Sequence, residues 1–353
     1  MDSYVFLISL AVVNVIIQYK KNILLLNVML AIALFVFSAF RGEYVGSDTS
    51  TYLMIYNSDV ILNNYKSEYL FFSVVKIIRD LGGSAVDCQI IMSALTFIPL
   101  VALIVAKSEI PSLSLLLFVI AINSYYFETY NIVRQLIATP YLLWAYVTAM
   151  ENKWKYTILL FVVAIGFHTT SLIYLFIFLF AIYFKFSYKG VFLSVACSLV
   201  FAFAFSNITY LTDIISKFEN VKLLGLDKYS YFSDYGLDLV RTTNGLITLL
   251  LPHSFLCLYA YKKKGDNLLL RLYFYGVIFL NVVSIMPTSY RMAYGLTVLE
   301  LLIFPMIYKE YKESRFLFII LFIMMLVYKV RTLVMYGVES DLIPYSFTGR
   351  FFK

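Results

Sequence analysis

Apolar runs long enough to cross a bilayer alternate with short polar breaks from one end of the chain to the other. Residues 3–19 and 22–40 form the first two, separated by Lys20 and Lys21. A basic hairpin of this kind stays cytoplasmic, which places Arg41 on the opposite side. Further spans are expected at 85–106, 112–127, 134–150, 190–206, 245–261, 267–286, 292–308 and 315–336. The run 156–184 exceeds one ordinary span, and Gly166 and His168 interrupt it near the middle. A broken or re-entrant pair bending there keeps Lys185 and Lys189 cytoplasmic. The two longer extracytoplasmic loops, about 41–84 and 207–243, carry amphipathic helices. In the first, Ser73, Lys76 and Asp80 oppose Leu70, Phe71, Val74, Val75, Ile77 and Ile78; in the second, Ile214, Ile215 and Phe218 recur at helical spacing. The fold class predicted is an all-α polytopic membrane protein, a single integral membrane domain of about 11–12 transmembrane segments with both termini outside.

Composition agrees with this pattern: of 353 residues, 62% are hydrophobic and 14% charged, against roughly a quarter charged in soluble domains. The first run lacks a basic flank and a small-residue cleavage motif, so it is expected to remain in the mature protein. The net charge of +7 comes from short Lys clusters between apolar runs rather than from a basic face, which argues for membrane topology and against nucleic acid. Cys88, Cys197 and Cys257 sit singly in apolar runs, with no metal-ligand spacing. No phosphate loop, dinucleotide fingerprint, zincin pair or serine elbow is present, so no metal and no cofactor is expected.

The arginines break the bias that the lysines obey. Arg41, Arg79, Arg134, Arg241, Arg291 and Arg350 all fall outside, six of nine. A planar guanidinium fork binds phosphate oxygens bidentately, so outward arginines at helix ends point to an anionic ligand. Arg41 opens the stretch RGEYVGSDTSTY, in which Asp48 either orients Arg41, takes a proton, or caps a helix starting near Thr49. In ETYNIVRQ, Tyr130 and Arg134 lie one helical turn apart, and Glu128 offers Arg134 an ion-pair partner. His168, in the break of its long run, suits a general base, although a lone histidine is also a common core residue. His253 has less polar company and reads as packing. Arg291 follows PTSY at another span entrance, and Glu300 lies deeper, facing another helix.

The motifs FRGEYVGSDTSTY, SEYLFFSVVKIIRD, YNIVRQLIA, GFHTTSLIYL and SYRMAY, in this order over roughly 35–300, resemble the EpsG family of Wzy-type exopolysaccharide and O-antigen polymerases. The resemblance implies a polymerase at the periplasmic face of a bacterial inner membrane, acting on undecaprenyl-diphosphate-linked oligosaccharide in contact with membrane lipid. A chain-length regulator and a flippase are the candidate protein partners. The matching polar positions are Arg41, Asp48, Arg134, His168 and Arg291. On this reading Arg41, Arg134 and Arg291 bind the diphosphate, and His168 or Asp48 deprotonates the acceptor hydroxyl. Tyr229, Tyr231, Phe232 and Tyr235 stack on the sugars. A lipid-linked oligosaccharide flippase and an O-antigen ligase are the alternatives. Cysteines placed at Lys185 and Lys189 should label only from the cytoplasmic side; labelling from outside would overturn the broken-pair topology.

Overall fold

The protein is described by a computed structural model covering residues 2–18, 22–64, 67–121, 125–205, 243–284, 289–336, 341–342 and 345–348. Within these, apart from one isolated antiparallel bridge between Arg41 and Phe347, the regular structure is helical. The contact pattern divides the chain into two units, Met1–Tyr183 with Val298–Lys353, and Phe184–Thr297.

The first unit begins with α1 (Asp2–Ile17) and α2 (Leu24–Ala39). In the loop that follows lie α3 (Thr49–Asn57), α4 (Asp59–Asn64) and α5 (Tyr69–Asp80). Then come α6 (Ala85–Lys107), α7 (Pro111–Ile120), the single turn α8 (Tyr125–Glu128), α9 (Val133–Met150), α10 (Trp154–Phe167) and α11 (Ser171–Tyr183). The second unit holds α12 (Tyr188–Phe205), α13 (Thr243–Lys264), α14 (Leu268–Val283), a 3-10 turn at Ser289–Ala293 and α15 (Tyr294–Thr297). The chain returns to the first unit for α16 (Glu300–Glu310) and α17 (Arg315–Tyr336).

Local chemistry explains several boundaries. Ser84 and Asp87 form a reciprocal capping box that starts α6, and Pro111 occupies the first turn of α7, where its missing N–H costs nothing. α1 and α2 are tied together by buried amides: Asn14 Nδ2 donates to Asn27 Oδ1 at 3.1 Å and Gln18 Nε2 to Asn14 Oδ1 at 2.6 Å. Each amide satisfies another, so the apolar helices carry them without stranded polar groups. α10 and α11 break at 168–170 and fold back, bringing Phe161 and Phe178 to 5.0 Å between ring centres. Tyr146 of α9 packs on both rings, at 5.9 and 6.0 Å.

The outward surface is that of a membrane protein. α6 is long and apolar enough to cross a bilayer, and seven shorter apolar helices of 10–17 residues accompany it. Leu25, Ile158, Val162, Phe176 and Met324 are among many large apolar side chains left exposed, a surface suited to lipid rather than water. The amphipathic helix expected in the first loop is α5, but its buried face consists of Phe71, Phe72, Val75 and Ile78. Ile77 points outward, 57% exposed, contrary to the face read from the sequence. The expected helix at 214–218 lies outside the described residues.

Two glycines separate backbone strain from crowding. Gly46 and Gly82 both have positive φ, +91° and +82°, yet a Cβ at Gly46 would lie 2.6 Å from Tyr130 Cβ while one at Gly82 would meet nothing within 4 Å. Gly82→Ala should therefore cost about 1 kcal/mol from the left-handed backbone alone. Gly46→Ala should lower the thermal midpoint of the detergent-solubilised protein clearly further; equal shifts would show that the Tyr130 contact is not limiting.

Candidate functional site

The loop after α2 is built around Arg41, which is only 2% exposed. Its Nη1 donates to the Ser38 carbonyl at 2.6 Å and its Nε to Thr49 Oγ1 at 2.9 Å, while the guanidinium lies 5.1 Å from the centre of the Tyr130 ring. Gln89 of α6 donates to the carbonyls of Ala39 and Arg41, at 2.9 and 3.0 Å, closing the end of α2. The C-terminal segment fastens the same loop from the other side. Gly42 N–H donates to the Ser346 carbonyl at 2.7 Å, Gly46 N–H to Asp341 at 2.8 Å, and Thr348 N–H to Phe40 at 2.9 Å. Arg41 thus organises a sealed loop, and Thr49 rather than Asp48 supplies its side-chain partner.

Across the loop, Glu68 gathers two of the expected residues. Its carboxylate, 5% exposed, receives Nδ1 of His168 at 2.5 Å on one oxygen and Nη1 of Arg134 on the other. These three residues come from the start of α5, the start of α9 and the break between α10 and α11. Arg134 also hydrogen-bonds the hydroxyl of Tyr52, and its guanidinium lies 5.9 and 5.8 Å from the Tyr52 and Phe71 rings. Asp48, half-buried, precedes α3 without capping it and acts electrostatically on Tyr52 one turn further on. Arg134 and His168 remain 26% and 19% exposed, so the pair is anchored from within and open from without.

Glu68 is held in an unusual backbone conformation, φ 58° and ψ 46°. For a residue with a Cβ this left-handed region costs about 1–2 kcal/mol, and here the helix-start carboxylate bonds Arg134 and His168 instead of capping α5. Burial pushes the Glu68 carboxyl up, but the His168 hydrogen bond and the Arg134 charge outweigh it and leave its pKa below the ordinary value. Glu68 is therefore ionised at neutral pH. With the carboxylate as acceptor, Nδ1 of His168 is the donor in this contact. Close packing supports this arrangement: a Cβ at Gly166 would lie 2.6 Å from Leu70 Cδ1, so α10 approaches α5 two residues before His168 and two after Glu68.

The remaining candidates are distributed differently. The expected Tyr130–Arg134 face does not form, because 129–132 is a turn and α9 begins only at Val133; Tyr130 stacks on Arg41 instead. Arg134 pairs with Glu68, whereas Glu128 is buried and coupled to Lys329 of α17, whose ammonium lies 4.9 Å from the Phe127 ring centre. Glu300 hydrogen-bonds Tyr125. Arg291 lies in the 3-10 turn of the second unit, half-buried. His253, 1% exposed, bonds Tyr273 at 3.0 Å between α13 and α14, as a packing histidine. Tyr229, Tyr231, Phe232 and Tyr235 lie outside the described residues. Among the described residues no cluster of potential metal ligands occurs.

Glu68 was not singled out by sequence reasoning. A glutamate just before an amphipathic helix ordinarily reads as a favourable charge at a helix N-terminus, and its partners are 66 and 100 residues away. The available signal was chemical: an arginine and a histidine at neighbouring membrane exits require an anion.

No characterised protein and no solved structure gave a match to the chain. The EpsG family profile matches residues 23–347, which include Arg41, Glu68, Arg134, His168 and Arg291. The chain is a member of the EpsG family.

Proposed function

We propose that the protein is a Wzy-type polysaccharide polymerase that joins undecaprenyl-diphosphate-linked oligosaccharide repeat units at the periplasmic face of the inner membrane. EpsG membership supports a polymerase of this general kind, and the observation that carries the chemical reading is the Glu68 carboxylate holding His168 and Arg134 in one half-open site. His168 Nε2 takes the proton of the acceptor hydroxyl as its oxygen bonds the anomeric carbon of the donor sugar. The bond from that carbon to the diphosphate breaks, and undecaprenyl diphosphate leaves with the electron pair. Glu68 stabilises the imidazolium that forms, and the exposed part of the Arg134 guanidinium faces the charge developing on the leaving group. Asp48, through Tyr52, biases the same guanidinium. Arg41 holds the loop that carries Asp48 and Tyr52 rather than touching the substrate. No nucleotide enters this reaction, because the diphosphate linkage itself supplies the leaving group.

In a strain lacking the gene, surface glycolipids should carry single repeat units. Complete lipid-bound polymer would indicate a ligase, and absence of exported units a flippase. In complemented strains His168→Ala and Glu68→Gln, expressed at normal level, should each lower polymerisation by about 10²–10⁴-fold. Arg134→Lys, which keeps the charge and loses the fork, should lose about 10²-fold. Full-length polymer from His168→Ala would remove that residue from the base role.

Glu68 also gives a pH test with a defined sign. A carboxyl whose folded pKa is depressed stabilises the fold fully above its unfolded value, about 4.3, and loses that contribution as pH falls through the folded value. The difference in thermal midpoint between the wild type and Glu68→Gln should therefore shrink as pH falls below about 4. A difference that stays unchanged as pH falls through that range would contradict the ionised Glu68 assignment.

A further inference from the structure

A second site lies within the first unit, on side chains that the Glu68 cluster does not use. α1, α7, α16 and α17 enclose a cleft of about 890 Å³. Its body is apolar, walled by Val15 and Ile16 of α1, Leu116 of α7 and Phe318, Phe322 and Ile323 of α17. Its end is formed where these helices turn: Glu109 just before α7, Lys309 near the end of α16, and Lys312 and Arg315 at the start of α17. We propose that this cleft binds an anionic phospholipid, its headgroup phosphate on Lys312 and Arg315 and an acyl chain along α1 and α17.

The charge distribution selects the headgroup. Glu109, the one carboxylate in the lining, is paired with Lys309 at 2.6 Å. Among the described residues Lys312 and Arg315 face no carboxylate at ion-pair distance. Arg315 is nevertheless oriented: its Nε donates to the Tyr308 carbonyl at 3.3 Å, and its guanidinium lies 5.5 Å from the Tyr308 ring centre. The connecting segment alternates sign, yet its carboxylates Glu310 and Glu313 do not line the cleft while Lys309, Lys312 and Arg315 do. Two uncompensated cations at the end of an apolar groove between helices match a lipid phosphate attached to a hydrocarbon chain. A choline headgroup would bring a third cation to that end, and inorganic phosphate would leave the apolar body unfilled.

The test is native mass spectrometry of the purified, delipidated full-length protein titrated with phosphatidylglycerol or phosphatidylcholine of identical acyl chains. Phosphatidylglycerol should bind more tightly, and inorganic phosphate at equal concentration should not displace it. Lys312→Gln and Arg315→Gln should each weaken phosphatidylglycerol binding about fivefold and leave phosphatidylcholine unchanged. Lys312→Arg should bind as the wild type does, which separates loss of charge from loss of fold. Equal affinity of the wild type for the two lipids, displacement by inorganic phosphate, or unchanged phosphatidylglycerol binding after both Gln substitutions would each overturn the proposal.

Discussion

A buried carboxylate is the constraint on which the candidate site depends. An ionised glutamate 5% exposed costs several kcal/mol in desolvation unless cations and hydrogen bonds replace the lost water. Glu68 obtains both replacements, one on each oxygen, from helices far apart in sequence. Its position thereby fixes three things together: the start of α5, the mouth of α9, and the break between α10 and α11. The left-handed backbone at Glu68 belongs to the same arrangement, because a residue in that conformation is retained only where its surroundings over-determine it.

The packing around the cluster follows from this. α10 comes close to α5 at Gly166 because no larger side chain fits against Leu70, and that approach sets His168 opposite Glu68. Tyr52, Tyr56 and Phe71 form the aromatic wall on the other side, with Tyr52 and Phe71 at 6.2 Å. Arg134 lies against this wall, and its charge is distributed between a carboxylate, a phenol and two ring faces. A guanidinium so fixed loses little further freedom when it meets a second anion, which is the physical advantage of preorganisation.

Much of the helical pattern was legible from hydrophobicity, since an apolar helix in lipid needs only length and continuity. The break at His168 was legible for the same reason: a largely apolar run of 29 residues does not make one ordinary span, and a glycine and a histidine mark the weak point. What escaped was whatever depends on register and long-range pairing. Arg134 lies three residues from Asn131 and six from Glu128 in sequence, and a continuous helix would bring Tyr130 onto its face; the turn at 129–132 removes that helix. Glu68 escaped because nothing local distinguishes an anion that caps a helix from one that binds a distant histidine. The strap from the C-terminal segment to Gly42 and Gly46 is made of backbone bonds, which leave no side-chain signature in the sequence.

Arg41 and Arg134 carry the same charge at the same kind of position, and the structure distinguishes them by burial. Arg41 has exchanged water for a carbonyl, a hydroxyl and an aromatic face, and at 2% exposure it has no open side toward a ligand. Removing it would leave the Ser38 carbonyl and Thr49 without their donor and would loosen the loop that positions Asp48 and Tyr52. Arg134 is likewise anchored, but a quarter of its side chain remains open. A substitution at either position is therefore expected to reduce activity, so lost activity alone does not identify a phosphate ligand. The discriminating quantity is whether the lost activity is accompanied by lost stability. That follows from the desolvated contacts of Arg41, and for Arg134 the anchored and the open portions of the guanidinium must be weighed separately.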